Sequence, residues 1–300
     1  MDYSDLFNFL DKLNTEYLIN EPLARHTSFK IGGNADVFVK IRFEKELCEI
    51  CAFCNGKFEI LVIGNGSNLL ISDAGYKGIV LHIGLIFADM KMIDDTSLIC
   101  NAGAPLSTVC NFALSQSLSG LEFAYGIPGT LGGAVYMNAG AYGGEMSDVV
   151  KSVNFVTKDG KRGSFDVDEI DFAYRHSVFS GSDKIITSAV LQFVNKPKCE
   201  ISALMKENMI KRKIKQPLEF PSAGSVFKRP EGCFAGSLIQ DCDLKGCTVG
   251  GAQVSEKHAG FIINIGGATC SDVLALIEII KQKVLQKFGV LLETEIKYIE

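Results

Sequence analysis

No stretch of this sequence approaches the roughly 18 uninterrupted apolar residues of a membrane-spanning helix. The opening segment also lacks the basic start and apolar run of a secretory signal, because Asp2, Asp5 and Asp11 interrupt it. The net charge of -5 provides no broad positive potential for binding the phosphate backbone of a nucleic acid. We therefore expect a cytoplasmic protein that binds neither a membrane nor a nucleic acid.

Several catalytic signatures are missing as well. The glycines match neither G-x-x-x-x-G-K-[ST] nor G-x-G-x-x-G, which excludes a Walker loop and a Rossmann fingerprint. Ser225 does not form a G-x-S-x-G nucleophile elbow, because Val226 and Phe227 follow it. A phosphotransferase would need metal-binding carboxylates near a lysine-bearing loop, and the sequence offers no such pair. No metal cofactor is expected.

The ten cysteines do not show the pattern of a disulfide scaffold in a chain of this length, so we expect them to be reduced thiols. Cys48, Cys51 and Cys54 share their spacing with some iron–sulfur ligand runs. They lie in a predicted helix in which Leu47 and Ile50 recur with them on one face. Cysteine packs as a small hydrophobic residue, so packing is favoured over a cluster.

Strands alternate with helices along the chain, which predicts a mixed α and β protein with more than one core. Helices are predicted over the opening segment, residues 43–56, residues 105–119, the segment after Pro197, and residues 271–288, which Gly289 closes. Strands are predicted over residues 35–41, 58–64, 78–83, 97–103, 185–194 and 290–300. A hairpin turn is predicted at Asp159-Gly160. We predict three parts, residues 1–78, 79–197 and 198–300. A return of the last strand to the first part is left open.

Two glycine-rich loops contain the strongest functional signal. Gly64-Asn65-Gly66-Ser67-Asn68 follows a predicted strand, and successive N–H groups in such a turn can bind an anion. A tight strand-exit turn is the alternative. The second loop runs from 125 to 144 and is still richer in small residues, which either let two backbones pack closely or line a flat ligand. Together the loops favour a large phosphate-bearing cofactor.

The segments GNGSNLL, GIPGTLGGAVYMNAGAYG and HTSFKIGGNAD are similar to the flavin-binding half of the UDP-N-acetylenolpyruvoylglucosamine reductases. This resemblance implies an α+β fold: a vanillyl-alcohol-oxidase-type two-part FAD-binding domain, residues 1–78 and 79–197, plus a C-terminal α+β substrate domain, 198–300. It implies non-covalent FAD, with these cofactor-binding residues: Gly64, Asn65, Gly66, Ser67, Asn68, Leu69, Gly126, Ile127, Pro128, Gly129, Gly132, Gly133 and Gly140.

The resemblance also implies the reaction, in which NADPH reduces UDP-N-acetylglucosamine enolpyruvate to UDP-N-acetylmuramate for peptidoglycan synthesis in a monomeric enzyme. In FAYRHSVF it assigns Arg175 to the substrate's carboxylate, whose shape suits a planar guanidinium. Taken alone, Arg175 would be a surface ion-pair partner. In PSAGSVFK it assigns Ser225 as general acid. Taken alone, that serine would be a turn hydroxyl.

In LLETEIK the resemblance favours Glu295 as the catalytic glutamate. Glu293 is the alternative, because strand alternation directs both side chains to the same face. Taken alone, both would be solvated carboxylates. Arg212 and Lys228, in the densest basic stretches, are expected to bind the substrate's diphosphate, although a solvated helix face explains such runs equally well. The interval from Arg175 to Ser225 is short, which is typical of the second type of this family, without a substrate-capping tyrosine loop.

Two other functions remain open on the sequence. A flavin oxidoreductase of the same fold with another substrate is the first, because a fold alone never fixes function. A non-catalytic protein that binds a nucleotide sugar and keeps vestigial glycine loops is the second. The trio of Arg175, Ser225 and Glu295 in its family contexts argues against the first. The second predicts colourless purified protein, whereas bound oxidised FAD makes a protein yellow.

Overall fold

The computed structural model describes residues 2–300. The helices are α1 (Ser4–Lys12), α2 (Glu44–Cys54), α3 (Leu106–Ser115), α4 (Leu131–Tyr136), α5 (Lys198–Lys215), α6 (Ala235–Asp241) and α7 (Cys270–Phe288). The strands are β1 (Tyr17–Pro22), β2 (Asn34–Lys40), β3 (Ile60–Ile63), β4 (Leu69–Ile71), β5 (Tyr76–His82), β6 (Met90–Met92), β7 (Ser97–Asn101), β8 (Leu118–Ser119), β9 (Gly140–Ala141), β10 (Gly144–Glu145), β11 (Val150–Thr157), β12 (Arg162–Asp166), β13 (Lys184–Gln192), β14 (Val194–Asn195), β15 (Thr248–Val249), β16 (Ala252–Val254), β17 (Ile262–Asn264) and β18 (Lys297–Ile299). Across residues 2–300, no helix combines the length and the apolar character that a bilayer crossing requires.

The chain divides into two compact units, each assembled from separate segments. The first unit comprises the residues up to 19, 37–65 and 78–210; the second comprises 20–36, 66–77 and 211–300. This division follows contacts within the chain and does not test the predicted parts 1–78, 79–197 and 198–300. The three-part division by function remains a prediction.

A five-stranded antiparallel sheet forms the centre of the first unit, in the order β12-β11-β13-β7-β6. Its core contains fully buried side chains from several elements, including Leu47, Leu98, Val153 and Leu191. The hairpin between β11 and β12 turns where it was predicted, because Gly160 takes the left-handed φ of +84° that such a turn needs.

The cysteine-bearing helix α2 packs into the same core. Cys51 and Cys54 are fully buried beside Leu47 and Ile50, as the face predicted for this helix requires. Burial raises the pKa of both Cys51 and Cys54 to about 12, which keeps these thiols protonated at neutral pH. The predicted packing role is confirmed for these two residues.

A buried carboxylate lies on the same helix and gives a test of the fold. Glu46 is 2% exposed, accepts a hydrogen bond from Thr15 Oγ1 at 2.6 Å and pairs with Arg42 Nη2 at 2.7 Å. Glu46→Ala should lower the free energy of unfolding by about 3 kcal/mol, because it leaves Thr15 and Arg42 without their acceptor. Glu49→Ala, which removes a surface pair with Lys45, should change it by less than about 1 kcal/mol.

Urea unfolding followed by circular dichroism measures both changes. Equal stabilities of the two variants would contradict a structural role for the buried carboxylate.

The second unit has its own core, built around α7 and the three-stranded sheet β15-β16-β17. Phe29, Leu70, Ile239 and Val273 are fully buried in it. Helix α7 ends as predicted, with Gly289 in the left-handed conformation at φ +69°.

The predicted terminal strand over 290–300 is wrong in its extent. Only β18 is a strand, and it pairs in parallel with β4. The preceding residues make one isolated bridge, between Thr294 and Phe227. A strand needs a continuous neighbour, and the chain changes its pairing partner between Thr294 and Lys297, so the extended segment is interrupted there.

Candidate active site

The two predicted glycine loops meet in the first unit. Asn65 Nδ2 donates a hydrogen bond to the carbonyl oxygen of Pro128 at 3.0 Å. A Cβ atom on Gly64 would overlap Thr130 Oγ1, so the backbone approaches more closely there than any side chain allows. The loop that follows β3 and the loop that precedes α4 therefore form one continuous surface of small residues.

Helix α4 begins inside the second loop and is capped by Thr130, whose Oγ1 accepts a hydrogen bond from Gly133 N at 3.4 Å. A Cβ atom on Gly132 would lie 2.8 Å from Ala102 Cβ, so close backbone packing explains that glycine. Gly133 is different. It is exposed, and a Cβ atom there would meet only Thr130 Oγ1, at 3.5 Å.

The chain itself thus requires a small residue at 132 but not at 133. A bare backbone at Gly133 fits a flat group lying against the first turn of α4, as a flavin ring would. Close packing therefore accounts for Gly132, and the open surface at Gly133 is compatible with the predicted ligand surface.

The second half of the first loop belongs to the second unit. Gly66 has φ +58°, and a Cβ atom on it would overlap the carbonyl oxygen of His26. Ser28 N donates to Gly66 O at 3.4 Å, so the HTSF segment holds this turn. Asn68 Nδ2 donates to the carbonyl oxygen of Glu295 at 3.1 Å. Gly66 to Leu69 are thereby joined to the chain segment of the predicted catalytic glutamate.

Arg175 lies at the tip of a tight turn in the first unit. Ala173 and His176 exchange two backbone hydrogen bonds of 3.1 Å, and Arg175 between them has a φ of +55°. Its Nη2 donates to Gly140 O at 3.3 Å, and its guanidinium carbon lies 5.1 Å from the ring centre of Tyr174. A left-handed backbone is unfavourable for arginine, and such strain is concentrated at functional sites.

Ser225 and Glu295 meet in the second unit through their backbones. Glu295 N donates to Val226 O at 2.7 Å, and Val226 N donates to Gly260 O at 2.9 Å. Ser225 itself forms an isolated bridge with Phe261 and is half-buried. The predicted general acid and the predicted glutamate are thus held at one junction of three chain segments.

The two candidate glutamates have different surroundings. The Glu293 side chain is 71% exposed, and its Oε2 lies 3.0 Å from Lys228 Nζ. Glu295 is half-buried and is flanked by the hydrogen bonds to Val226 and Asn68. Strand alternation is no longer a guide here, because the segment is not a regular strand.

The predicted substrate-binding cations also lie in the second unit. Lys228 is engaged with Glu293, and Arg212 is half-buried near the end of α5. Sequence reasoning missed Thr130, although a threonine directly before a helix is a common N-cap and could have been recognised.

Two family models match parts of the chain. Residues 35–164 match the family described as FAD binding domain, and residues 216–299 match the UDP-N-acetylenolpyruvoylglucosamine reductase C-terminal domain. The UDP-N-acetylenolpyruvoylglucosamine reductase of Listeria monocytogenes serotype 4b (strain CLIP80459) is 49% identical over 282 residues, 94% of each chain. The enzyme of the same name from Syntrophomonas wolfei is 46% identical over 298 residues, 99% of each chain.

The crystal structure of the reductase from Thermus caldophilus superposes with a TM-score of 0.81 at 34% identity, covering 95% of this chain and 99% of that one. The predicted mixed α and β fold, with an FAD-binding domain and a C-terminal α+β domain, is confirmed. FAD as the cofactor of an oxidoreductase is confirmed with it. On identity over nearly the whole length, the chain belongs to the UDP-N-acetylenolpyruvoylglucosamine reductase family.

Proposed function

We propose that this protein uses NADPH and FAD to reduce UDP-N-acetylglucosamine enolpyruvate to UDP-N-acetylmuramate, as a monomer in the cytoplasm, for peptidoglycan precursor synthesis. Its relatives in Listeria monocytogenes and Syntrophomonas wolfei are named for reduction of this class of substrate. The observation that supports it best is the junction at which Ser225 and Glu295 are joined through Val226. Reduction of a carbon–carbon double bond conjugated with a carboxylate needs a hydride and a proton, and in this proposal the Ser225 hydroxyl supplies the proton.

The residues of the glycine loops fit the cofactor. Gly64, Asn65 and the turn from Gly66 to Leu69 supply backbone N–H groups suited to a pyrophosphate. The loop from Gly126 to Gly133 supplies the bare surface for the flavin ring, and Gly140 fixes Arg175. Bound FAD supplies the hydride chemistry.

Side chains of the protein stabilise the developing negative charge and transfer the proton. Hydride addition at C3 of the enolpyruvyl group develops negative charge at C2 and in the carboxylate. The Arg175 guanidinium binds that carboxylate, and its fixed tip position provides a donor already oriented for the growing charge. Ser225 then donates its hydroxyl proton to C2, which completes the lactyl ether. In this proposal the Glu295 carboxylate takes part in the same step, beside Ser225.

The diphosphate of the substrate needs cations, which Arg212 and Lys228 supply in this proposal. The pair between Lys228 and Glu293 is exposed, and exposed pairs contribute no more than about 1 kcal/mol. A diphosphate can therefore displace Glu293 from Lys228 at little cost in free energy.

The proposal is tested by an anaerobic titration of the wild-type protein. NADPH should bleach the yellow absorption of the bound flavin, and UDP-N-acetylglucosamine enolpyruvate should restore it with formation of UDP-N-acetylmuramate. A flavin that is bleached but not reoxidised by this substrate would indicate an oxidoreductase with a different substrate. Colourless protein that binds the nucleotide sugar would indicate a binding protein.

The two glutamates provide a matched pair of variants. Glu295→Gln should slow the reoxidation step about 100-fold, because it removes a charge at the junction beside Ser225. Glu293→Gln should change that rate less than about threefold, because its side chain is exposed and only pairs with Lys228. Single-turnover kinetics of prereduced enzyme measure both rates. The reverse ranking would move the catalytic role to Glu293.

A further inference from the structure

The hairpin loop between β16 and β17 is held in one shape by its own hydrogen bonds. Ser255 N donates to Phe261 O and Phe261 N donates to His258 O, both at 2.9 Å. The buried hydroxyl of Ser255 accepts from Lys257 N at 3.2 Å and from His258 N at 3.3 Å. These hydrogen bonds fix the conformation of the loop. They therefore also fix the backbone position from which the His258 side chain projects.

The His258 ring is tied to Gly260. Its Nδ1 accepts a hydrogen bond from Gly260 N at 3.1 Å. A Cβ atom on Gly260 would come within 3.0 Å of His258 Cε1, and one on Gly236 within 3.4 Å, so both glycines give the ring room. The ring of Phe261 stands edge-on to it, with centres 5.0 Å apart. An accepting Nδ1 places the ring proton on Nε2.

Gly260 connects this ring to the proposed general acid. The N–H of Gly260 goes to His258, while its C=O accepts from Val226 N at 2.9 Å. Ser225 bridges the next residue, Phe261. A change in the position of Gly260 therefore shifts the backbone from which the Ser225 hydroxyl projects.

We propose that His258 is a positioning residue, which holds Gly260 through Nδ1 and thereby aims the Ser225 hydroxyl at the substrate. This rests on the proposed function, in which Ser225 donates a proton. Burial lowers the pKa of His258, a hydrogen bond with its own backbone opposes this in part, and the positive charges of Lys245 and Lys215 lower the pKa further. The ring is consequently neutral at neutral pH, and Nδ1 keeps the lone pair that Gly260 needs.

Two isosteric variants separate the nitrogens of the ring. His258→Asn places an acceptor oxygen at the distance of Nδ1 from Cβ, whereas His258→Gln places its polar atoms one bond farther out, near Nε2. His258→Gln should slow flavin reoxidation by the enolpyruvyl substrate about 100-fold, since a misplacement of about 1 Å has that effect. His258→Asn should restore the rate to within about threefold of wild type. Both should be reduced by NADPH at the wild-type rate.

Equal rates in the two variants, or a wild-type rate in His258→Gln, would overturn the positioning role. A second measurement needs neither activity nor folded variants. A long-range 1H–15N spectrum of wild-type protein without FAD should show His258 neutral, with its proton on Nε2, at pH 7. A proton on Nδ1 would overturn the proposal. If wild-type enzyme is not reoxidised by the enolpyruvyl substrate, the proposed function fails, whereas this spectrum still decides the hydrogen bond to Gly260.

Discussion

Replacing Ser225 by alanine is expected to leave the bleaching of the flavin by NADPH unchanged and to slow its reoxidation by the enolpyruvyl substrate about 1000-fold. Proton donation by a positioned side chain is worth about 100- to 10,000-fold, and alanine has no proton to give. The junction around residue 225 should survive, because Val226 and Glu295 are held there by backbone hydrogen bonds. Anaerobic stopped-flow absorption measures the two half-reactions separately.

Ser222→Ala is the matched control for this variant. Ser222 lies three residues earlier, and its contact with Ser28 Oγ, at 2.7 Å, uses the carbonyl oxygen rather than the hydroxyl. Both half-reactions should therefore proceed at the wild-type rate in Ser222→Ala. Normal reoxidation of Ser225→Ala would eliminate Ser225 as the proton donor, and an equal loss in both variants would point to a general disturbance of the segment.

Gly64→Ala should give protein that purifies with little or no flavin. The new Cβ atom would overlap Thr130 Oγ1, so either the cap of α4 or the loop after β3 must move. The hydrogen bond from Asn65 to Pro128 lies in the same contact and would be strained with it. Overpacking of this kind costs about 1 to 3 kcal/mol, which would weaken FAD binding roughly 5- to 150-fold.

The ratio of flavin to protein absorption and a fluorescence titration with FAD measure this loss. Gly56→Ala is a suitable control, since an added Cβ at Gly56, which has a φ of +70°, has no neighbouring atom within 4 Å. It should cost some stability and leave the flavin content unchanged. Full flavin content in Gly64→Ala would mean that the two loops do not hold the cofactor together.

Features that depend on local chemistry could be predicted from the sequence. The Asp159-Gly160 turn and the end of α7 at Gly289 both follow from the left-handed conformation that glycine adopts. The terminal strand could not be predicted, because its pairing partners, Phe227 and β4, are distant in sequence. Periodicity describes one segment, whereas a strand also depends on its neighbour.

In the candidate site, too, local features could be predicted from the sequence and long-range contacts could not. Glycine-rich segments were visible in the sequence, and their meeting at Gly64 and Thr130 was not, since the two are 66 positions apart in the chain. Glu293 and Glu295 are equivalent under strand alternation, and only the fold distinguishes them, because Glu293 is exposed beside Lys228 whereas Glu295 is half-buried. His258 has an ordinary local contact with Gly260, and its proposed importance comes from the distant segment at Val226.

In the proposed function, the left-handed backbone at Arg175 sets stability against activity at a single position. Glycine or asparagine would adopt the φ of +55° there at a lower conformational cost than arginine. Laboratory evolution for heat resistance alone should therefore tend to replace Arg175, whereas selection for cell-wall synthesis should restore it. Such opposition is expected where a protein accepts strain in order to present a charge.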